Sequence, residues 1–305
     1  MTILAVATEY DLREFVYLDW MNQIKIIECP RDAMQGIKSH FIPTTDKARY
    51  INALLKVGFD TIDFGSFVSP KAIPQMRDTA ELLSLLDMNQ SDSKLLAIVA
   101  NLRGASDACQ FEQINYLGFP FSISENFQMR NTGKTIAQSL TALQQILELA
   151  VKNDKQLVAY LSMGFGNPYG DPWNADIVGE WTETLAKMGV SILSLSDTIG
   201  VARGETIAHL FSNLIPMYPE VEFGAHLHTH PASWYEKIEA AYEAGCRRFD
   251  GAIRGFGGCP MAKDDLTGNM PTEKLISYFT SLKVETGVNP LRFETAYNEA
   301  MKIFD

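Results

Sequence analysis

The sequence of 305 residues lacks an excess of basic residues. It has 26 lysines and arginines against 37 aspartates and glutamates, which gives a formal net charge of −11. A protein that binds nucleic acid or an anionic membrane through its surface field needs excess positive charge. We therefore expect neither as a partner, and we expect an anionic small substrate to meet locally basic residues.

Long apolar runs and paired cysteines are also missing. No run approaches the ~20 apolar residues of a membrane-spanning helix. The first twenty residues lack the basic start and apolar centre of a signal peptide. The four cysteines, at positions 29, 109, 246 and 259, have no paired spacing. This pattern is typical of a reduced protein, and we expect a cytoplasmic location.

No linker rich in Ser, Gly or Pro divides the chain, and strands alternate with helices about every 30 residues. The predicted strands are 24–28, 61–64, 95–99, 113–119, 157–162, 191–195, 221–225 and 248–252. The predicted helices are 44–57, 75–87, 104–109, 135–153, 175–188, 205–217, 232–244 and one that begins near 271.

Eight such units favour an α/β protein, a closed (β/α)₈ TIM barrel, because short connections imply parallel strands. We expect residues 1–305 to form one catalytic domain, with a short N-terminal extension and a C-terminal helical segment. An open, doubly wound sheet is the alternative.

His226 and His228 follow the seventh predicted strand. Because successive strand side chains point to opposite faces, the two imidazoles project the same way, roughly 7 Å apart. This separation suits two ligands of one metal ion. The pair alone is equally compatible with a core or surface role, so further ligands are needed.

Other polar residues arrive at the carboxyl ends of predicted strands. Asp32 follows the first strand, Asp63 lies at the second and Asp197 follows the sixth. Active-site groups of (β/α)₈ barrels lie at this end of the strands. Loops are polar in general, but that does not explain three aspartates and two histidines at one topological position. We therefore predict an active site there.

A divalent metal at this site could bind His226, His228, the Asp32 carboxylate and the Asn269 amide oxygen. Two nitrogens and two hard oxygens suit octahedral Mn²⁺ or Mg²⁺, and zinc is not excluded. Tetrahedral structural zinc is disfavoured because no cysteine pair lies nearby. Asn269 alone is an ordinary Gly-Asn turn residue, and spacing does not single it out.

Three glycines surround Cys259 in the segment 255–260 (GFGGCP). A glycine-rich loop can carry a thiol over a bound ligand. The cysteine could be a nucleophile, an acid or base group, or a buried small apolar residue. The glycines and the loop position favour a chemical role.

Several motifs together resemble the 3-hydroxy-3-methylglutaryl-CoA lyase family. Residues 27–35 (IECPRDAMQ) resemble its Glu-x-x-Pro-Arg-Asp-Gly-Leu-Gln signature, and residues 66–76 resemble its second signature. Residues 194–200, the His-x-His strand and the segment 257–273 follow in the family's order. The similarity runs from about residue 24 to residue 289.

The resemblance implies cleavage of a 3-hydroxyacyl-CoA to acetyl-CoA and acetoacetate with a divalent metal, Mg²⁺ or Mn²⁺. It implies that the ligands are Asp32, His226, His228 and Asn269, and that the metal lowers the pKa of the substrate hydroxyl. The partners implied are an acyl-CoA thioester and a second copy of the chain in a homodimer.

The resemblance also implies roles for four further residues. Arg31 would stabilise negative charge on the thioester oxygen, and Cys259 would protonate the enolate carbon. Asp63 and Asp197 would act as acid, base or orienting groups. Four cations are candidates for the CoA phosphates or else ordinary surface residues: Lys71, Arg103, Arg130 and Lys134.

The chain departs from the family pattern at several places, and two of them concern the predicted site. Asp63 replaces a glutamate, which can move a catalytic carboxylate by ~1 Å. After the histidine pair, Thr229-His230-Pro231-Ala232 replaces Asp-Thr-Tyr-Gly. Thr229 cannot orient a histidine with a charge. His230 is either an extra ligand or a solvent-facing or helix-capping residue.

Three functions are therefore open. The first is the lyase, the second is a related metal-dependent aldolase or Claisen-type synthase, and the third is an acyl-CoA-binding barrel with reduced turnover. The presence of Arg31, Asp32 and the two histidines disfavours the third. The Cys259 loop favours the first over the second.

Overall fold

Eight parallel strands close into a barrel in the computed structural model, which describes residues 23–89, 91–258 and 267–304. The strands pair in chain order, and the last strand pairs with the first. This closure confirms the (β/α)₈ barrel and excludes the open sheet. The predicted N-terminal extension and Cys259 lie outside the described residues.

The strands are β1 Lys25–Glu28, β2 Thr61–Ser66, β3 Lys94–Ile98, β4 Ile114–Ser122, β5 Gln156–Ser162, β6 Ile192–Asp197, β7 Glu222–Leu227 and β8 Arg248–Gly251. The helices are α1 Pro30–Gln35, α2 Thr44–Leu54, α3 Thr79–Ser84, α4 Leu102–Ala108, α5 Glu125–Thr132, α6 Ile136–Lys152, α7 Ala175–Lys187, α8 Gly204–Met217, α9 Trp234–Glu243, α10 Thr272–Ser281 and α11 Pro290–Phe304. Across these segments, no helix is long and apolar enough to cross a bilayer.

The helices form where apolar residues recur with the helical period. In α6, Leu143, Ile146, Leu147 and Ala150 form one buried face, and Thr135 with Gln138 forms a capping box at its start. Each fully buried leucine or isoleucine contributes about 1.5–3 kcal/mol through burial. The outer faces of the strands and the inner faces of the helices thus form the main core.

The barrel interior is divided into an apolar and a polar half. Leu96, Ile98, Tyr116, Val158, Tyr160 and Ile192 form an apolar cluster on β3 to β6. Polar side chains from β7, β8, β1 and β2 fill the other half, including His226, Asp250 and Asp63. This asymmetry positions the polar chemistry on one side of the barrel.

Two predicted elements differ from the structure. The helix predicted over 75–87 is a 3₁₀ turn at Pro74–Met76 followed by α3 alone. Pro74 begins the turn because proline fits the first helical position but cannot continue a preceding helix. The residues after β1 form the helix α1 instead of a loop, so Arg31 and Asp32 have helical backbone.

Candidate active site

Asp32, His226 and His228 meet at the carboxyl end of the barrel. One ligand atom from each lies within 4.8 Å of the others, and the two imidazole centroids are 5.3 Å apart. Asp32 lies in α1, directly after β1, while the histidines come from the end of β7. The prediction that both histidines project to one site is confirmed. The three groups are close enough to bind one ion.

Asn269 joins these residues through the backbone. It forms an isolated antiparallel bridge with His228, and Thr229 N donates to Gly268 O at 2.9 Å. The side-chain Nδ2 of Asn269 donates to Asp32 Oδ2 at 2.7 Å and to Phe256 O at 2.8 Å. These two acceptors fix the orientation of the amide, because only the nitrogen can donate. The Oδ1 atom is therefore the one available to a cation.

Asp250 orients His226 from the neighbouring strand β8. The distance between Asp250 Oδ2 and His226 Nδ1 is 3.0 Å, which leaves Nε2 to bind a metal. Thr229 cannot supply an orienting charge, and Asp250 supplies it instead. Sequence analysis missed this residue, although its alternation with Arg248 on a predicted strand places both side chains on one face.

Burial and charge set the ionisation of two of the candidate ligands, Asp32 and His228. Burial raises the pKa of Asp32, but Arg31 and His226 outweigh it and lower the pKa to about 2. Burial and the nearby His226 lower the pKa of His228 to about 3. A carboxylate and a neutral imidazole are the forms that ligate a metal, so both groups are in the required state at neutral pH.

The donor set fits a hard or borderline divalent cation. It combines imidazole nitrogens with a carboxylate and an amide oxygen, which are ligands of Mn²⁺, Mg²⁺ and Zn²⁺ alike. A second cluster, Cys29 with His226 and Asp250, has ligand atoms equally close. Burial raises the pKa of the Cys29 thiol well above its ordinary value, which disfavours a thiolate ligand. Asp32, His226 and His228 border a cavity at the mouth of the barrel, whereas Cys29 does not.

The cavity next to these residues has a volume of about 270 Å³. Arg31, Asp32 and the two histidines lie on one side. Ile98, Pro120, Phe127 and Tyr160 are among the apolar residues that line it. The ring of Tyr160 packs edge-on against His226, with 5.5 Å between the centroids. The cavity thus joins a charged wall to an apolar surface.

Arg31 is held by two carboxylates. Its Nη2 lies 2.5 Å and its Nε 3.0 Å from Asp63 Oδ2, and its Nη1 lies 2.9 Å from Asp32 Oδ1. Burial raises the pKa of Asp63 to about 6 despite the opposing effect of Arg31. The shorter side chain that replaces the family glutamate therefore contacts the arginine directly. This pair fixes the guanidinium at the cavity wall.

Asp197 forms a buried ion pair that sequence analysis did not predict. Its Oδ2 lies 2.6 Å from Lys237 Nζ, and its carboxylate also accepts from the backbone of Val201 and Ala202. Lys237 donates further to His228 O at 2.7 Å. Asp197 thereby supports the turn after β6 and, through Lys237, the backbone of a candidate ligand.

The remaining predicted residues lie away from the candidate ligands or outside the described chain. His230 is exposed, and its Nδ1 accepts from Ala232 N at 3.4 Å, which agrees with a solvent-facing position. Lys134 donates to Ala100 O at 3.0 Å, and Arg130 lies 4.9 Å from the ring of Tyr169. The position of Cys259 is not described, but Gly257 and Gly258 before it adopt positive φ angles of 94° and 122°.

Known proteins resemble this chain over most of its length. The model of the HMGL-like family matches residues 23–298. The hydroxymethylglutaryl-CoA lyase YngG of Bacillus subtilis is 32% identical over 259 residues, which cover 85% of each chain. A lyase of Pseudomonas aeruginosa, described as acting on 3-hydroxy-3-isohexenylglutaryl-CoA and hydroxymethylglutaryl-CoA, is 31% identical over 88% of each chain.

A solved structure shows that the similarity includes the three-dimensional fold. An HMG-CoA lyase from Acinetobacter baumannii, in complex with coenzyme A and 3-methylmalate, superposes with a TM-score of 0.84 and 30% identity. The match covers 91% of this chain and 90% of that structure. The motifs, the barrel and these similarities lead to one conclusion: the chain belongs to the HMGL-like family of hydroxymethylglutaryl-CoA lyases.

Proposed function

We propose that this protein is a divalent-metal-dependent carbon–carbon lyase. It cleaves 3-hydroxy-3-methylglutaryl-CoA to acetyl-CoA and acetoacetate, or a close 3-hydroxyacyl-CoA to acetyl-CoA and the corresponding 3-oxo acid. The observation that carries the proposal is the convergence of Asp32, His226, His228 and Asn269 beside a cavity, in a chain of this family.

The four convergent residues are the proposed ligands. A divalent cation bound there would lower the pKa of the substrate's 3-hydroxyl and orient it for proton loss. Asp32 supplies charge, and Asp250 orients His226. The amide of Asn269, held by Asp32 and Phe256, directs its oxygen away from both acceptors. Mg²⁺ or Mn²⁺ is the proposed ion because half of this donor set is hard oxygen.

Arg31 is proposed to stabilise the enolate oxygen that forms when the carbon–carbon bond breaks. Its guanidinium borders the cavity, and a fixed donor at a developing charge accelerates such reactions on the order of 10²–10³-fold. Asp63 is proposed to hold Arg31 in place, because both Nε and Nη2 of the guanidinium donate to its Oδ2. Asp197 is proposed to orient and not to exchange protons, because Lys237 and two backbone donors occupy its carboxylate.

Cys259 is proposed as the acid that completes the reaction. The C–C electron pair passes to the thioester enolate, and the thiol then transfers its proton to the enolate carbon to form the methyl group of acetyl-CoA. The proton that the substrate hydroxyl loses restores the thiol, so that the cycle neither gains nor loses a proton. Gly257 and Gly258, which precede Cys259, have positive φ angles, and the backbone at Gly257 lies close to Asn269.

On the same family basis, we propose that Arg130 and Lys134 bind the CoA phosphates. We also propose that the protein is a homodimer and that its location is cytoplasmic.

An assay with 3-hydroxy-3-methylglutaryl-CoA and Mn²⁺ tests this function. The wild-type protein is expected to release acetyl-CoA and acetoacetate in equal amounts. His226→Ala should lose both activity and Mn²⁺ binding, whereas Cys259→Ala should lose at least ~10²-fold in kcat and keep its Mn²⁺ affinity.

The control is His209→Ala, an exposed histidine on α8, which should behave as wild type. An inactive wild type that binds Mn²⁺ would favour the synthase or the acyl-CoA-binding barrel. Full activity of Cys259→Ala would remove the thiol from the mechanism.

A further inference from the structure

Phe256 connects the helix α11 to the candidate ligand Asn269. Its ring stacks on the ring of Phe304, with 4.4 Å between centroids and 21° between planes. Its carbonyl oxygen accepts a hydrogen bond of 2.8 Å from Asn269 Nδ2. One residue therefore contacts the helix through its side chain and the candidate ligand through its backbone.

Arg254 makes a second connection between this segment and α11. Its Nη1 lies 3.1 Å from Met301 Sδ, and its guanidinium lies 5.2 Å from the centroid of the Phe256 ring. Its φ angle of 57° is one that residues other than glycine rarely adopt. Backbone conformations of this kind persist where surrounding contacts hold them. Contacts with α11 therefore contribute to the shape of the segment after β8.

The backbone that follows Phe256 has no free space on the side of the metal site. A Cβ added at Gly257 would lie 2.7 Å from Asp32 O and 2.8 Å from Asn269 Nδ2. Because the contact is this close, a displacement of Phe256 cannot be absorbed without moving the residues around it. The position of α11 is thus linked mechanically to Asn269.

We propose that Phe304 is a positioning residue for the metal site. Its ring fixes Phe256, the Phe256 carbonyl fixes the amide nitrogen of Asn269, and the amide oxygen is thereby presented to the cation. The inference rests on the proposed metal site, and it assigns α11 a role in ligand geometry in addition to packing against the barrel.

Two phenylalanines on the same helix allow a matched test. Phe304→Ala removes the stack on Phe256, whereas Phe293→Ala removes a ring that packs edge-on against Phe59, with 6.3 Å between centroids. Both variants should keep α11 on the barrel through contacts that neither ring makes: Arg49 Nε lies 2.7 Å from Glu299 Oε2, and Ala296 and Ala300 are buried.

The measurement is the Kd for Mn²⁺, determined by EPR on metal-free protein, with thermal unfolding recorded alongside. Phe304→Ala should raise the Kd for Mn²⁺ roughly 10-fold. This is the lower end of the loss in metal affinity, about 10–100-fold, that follows when a residue supporting a metal ligand is removed. Phe293→Ala should change the Kd less than about 2-fold, since it does not touch Phe256. Phe304→Tyr keeps the ring and should restore the wild-type Kd.

A double-mutant cycle tests the route through Phe256. Phe256→Ala should weaken Mn²⁺ binding as Phe304→Ala does, and the double variant should be no weaker than either one. Additive losses of Mn²⁺ affinity in the double variant would contradict the proposal that Phe304 acts through Phe256. An unchanged Kd in Phe304→Ala would contradict it as well. If Phe304→Ala does not fold, Phe304→Leu replaces it with the same expectation. A wild type that binds no Mn²⁺ would instead overturn the underlying metal site.

Discussion

Individual side chains at the site could be predicted from the sequence only where a motif contains them. Arg31, Asp32, His226 and His228 lie in recognisable motifs, and the structure brings them together. Two supporting contacts join different elements: Asp250 lies 24 positions from His226, and Lys237 lies 40 positions from Asp197. Spacing along one strand or loop cannot predict such pairs, because they form only when β8 pairs with β7 and when Lys237 on α9 meets the end of β6.

Asp250→Asn tests whether the charge behind His226 matters for metal binding. The substitution keeps the shape of the side chain but removes the charge that orients the imidazole. Mn²⁺ binding measured by calorimetry should weaken about 10–100-fold. The matched control is Asp78→Asn, a buried aspartate that pairs with Lys47 at 2.7 Å and does not border the cavity. Equal Mn²⁺ affinities in Asp250→Asn and wild type would show that His226 needs no orienting carboxylate.

Glu28 predicts a dependence of stability on pH. This fully buried carboxyl accepts from Thr272 Oγ1 at 2.5 Å and Ile253 N at 3.0 Å, yet burial raises its pKa to about 8 from an ordinary 4.5. The folded state therefore favours the protonated form. The stability contributed by Glu28 is complete below about pH 4.5 and is lost as the pH rises through about 8.

Urea unfolding at several pH values between 5 and 8 measures this contribution. Relative to Glu28→Gln, the wild type should lose up to ~1.4 kcal/mol of unfolding free energy for each unit of pH increase. Glu148→Gln, an exposed position on α6, should show no such slope. A difference between wild type and Glu28→Gln that is independent of pH would mean that Glu28 does not titrate in this range.

The elements were predictable to the extent that periodicity defines them. Strands and long helices such as α6 and α8 lie within a few residues of their predicted bounds. The short helices α1 and α5 were not predicted, because their six and eight residues show no apolar repeat with the helical period. The placement of Asn269 depends on a bridge to His228, which no local pattern indicates.

Gly257, in the loop after β8, and Gly133, at the end of α5, both have positive φ but should respond differently to substitution by alanine. Gly257 (φ 94°) lies against Asp32 and Asn269, whereas a Cβ at Gly133 (φ 68°) would have no heavy atom within 4 Å. Gly133→Ala should cost only the strain of the backbone, about 1–2 kcal/mol of stability, with activity unchanged. Gly257→Ala should in addition displace the loop and lower kcat/KM by roughly 10²-fold. Matching kinetics in the two variants would show that the close contact has no catalytic importance.

At the scale of the whole molecule, the barrel explains how distant parts of the chain form one site. Asp32 and Asn269 are separated by 237 positions, yet their side chains are 2.7 Å apart. Eight repeated units predict this closure, since they place every strand end at the same mouth. The division of the interior into polar and apolar halves was not predictable from the repeat, because it depends on which inward residues face each other across the barrel.

The anomalous diffraction of Mn²⁺ in crystals of the wild-type protein tests the central claim most directly. We predict one strong peak within bonding distance of Asp32, His226 and His228, with Asn269 Oδ1 as a further ligand. A strong peak between Cys29, His226 and Asp250, or no peak near His228 at saturating Mn²⁺, would contradict the account.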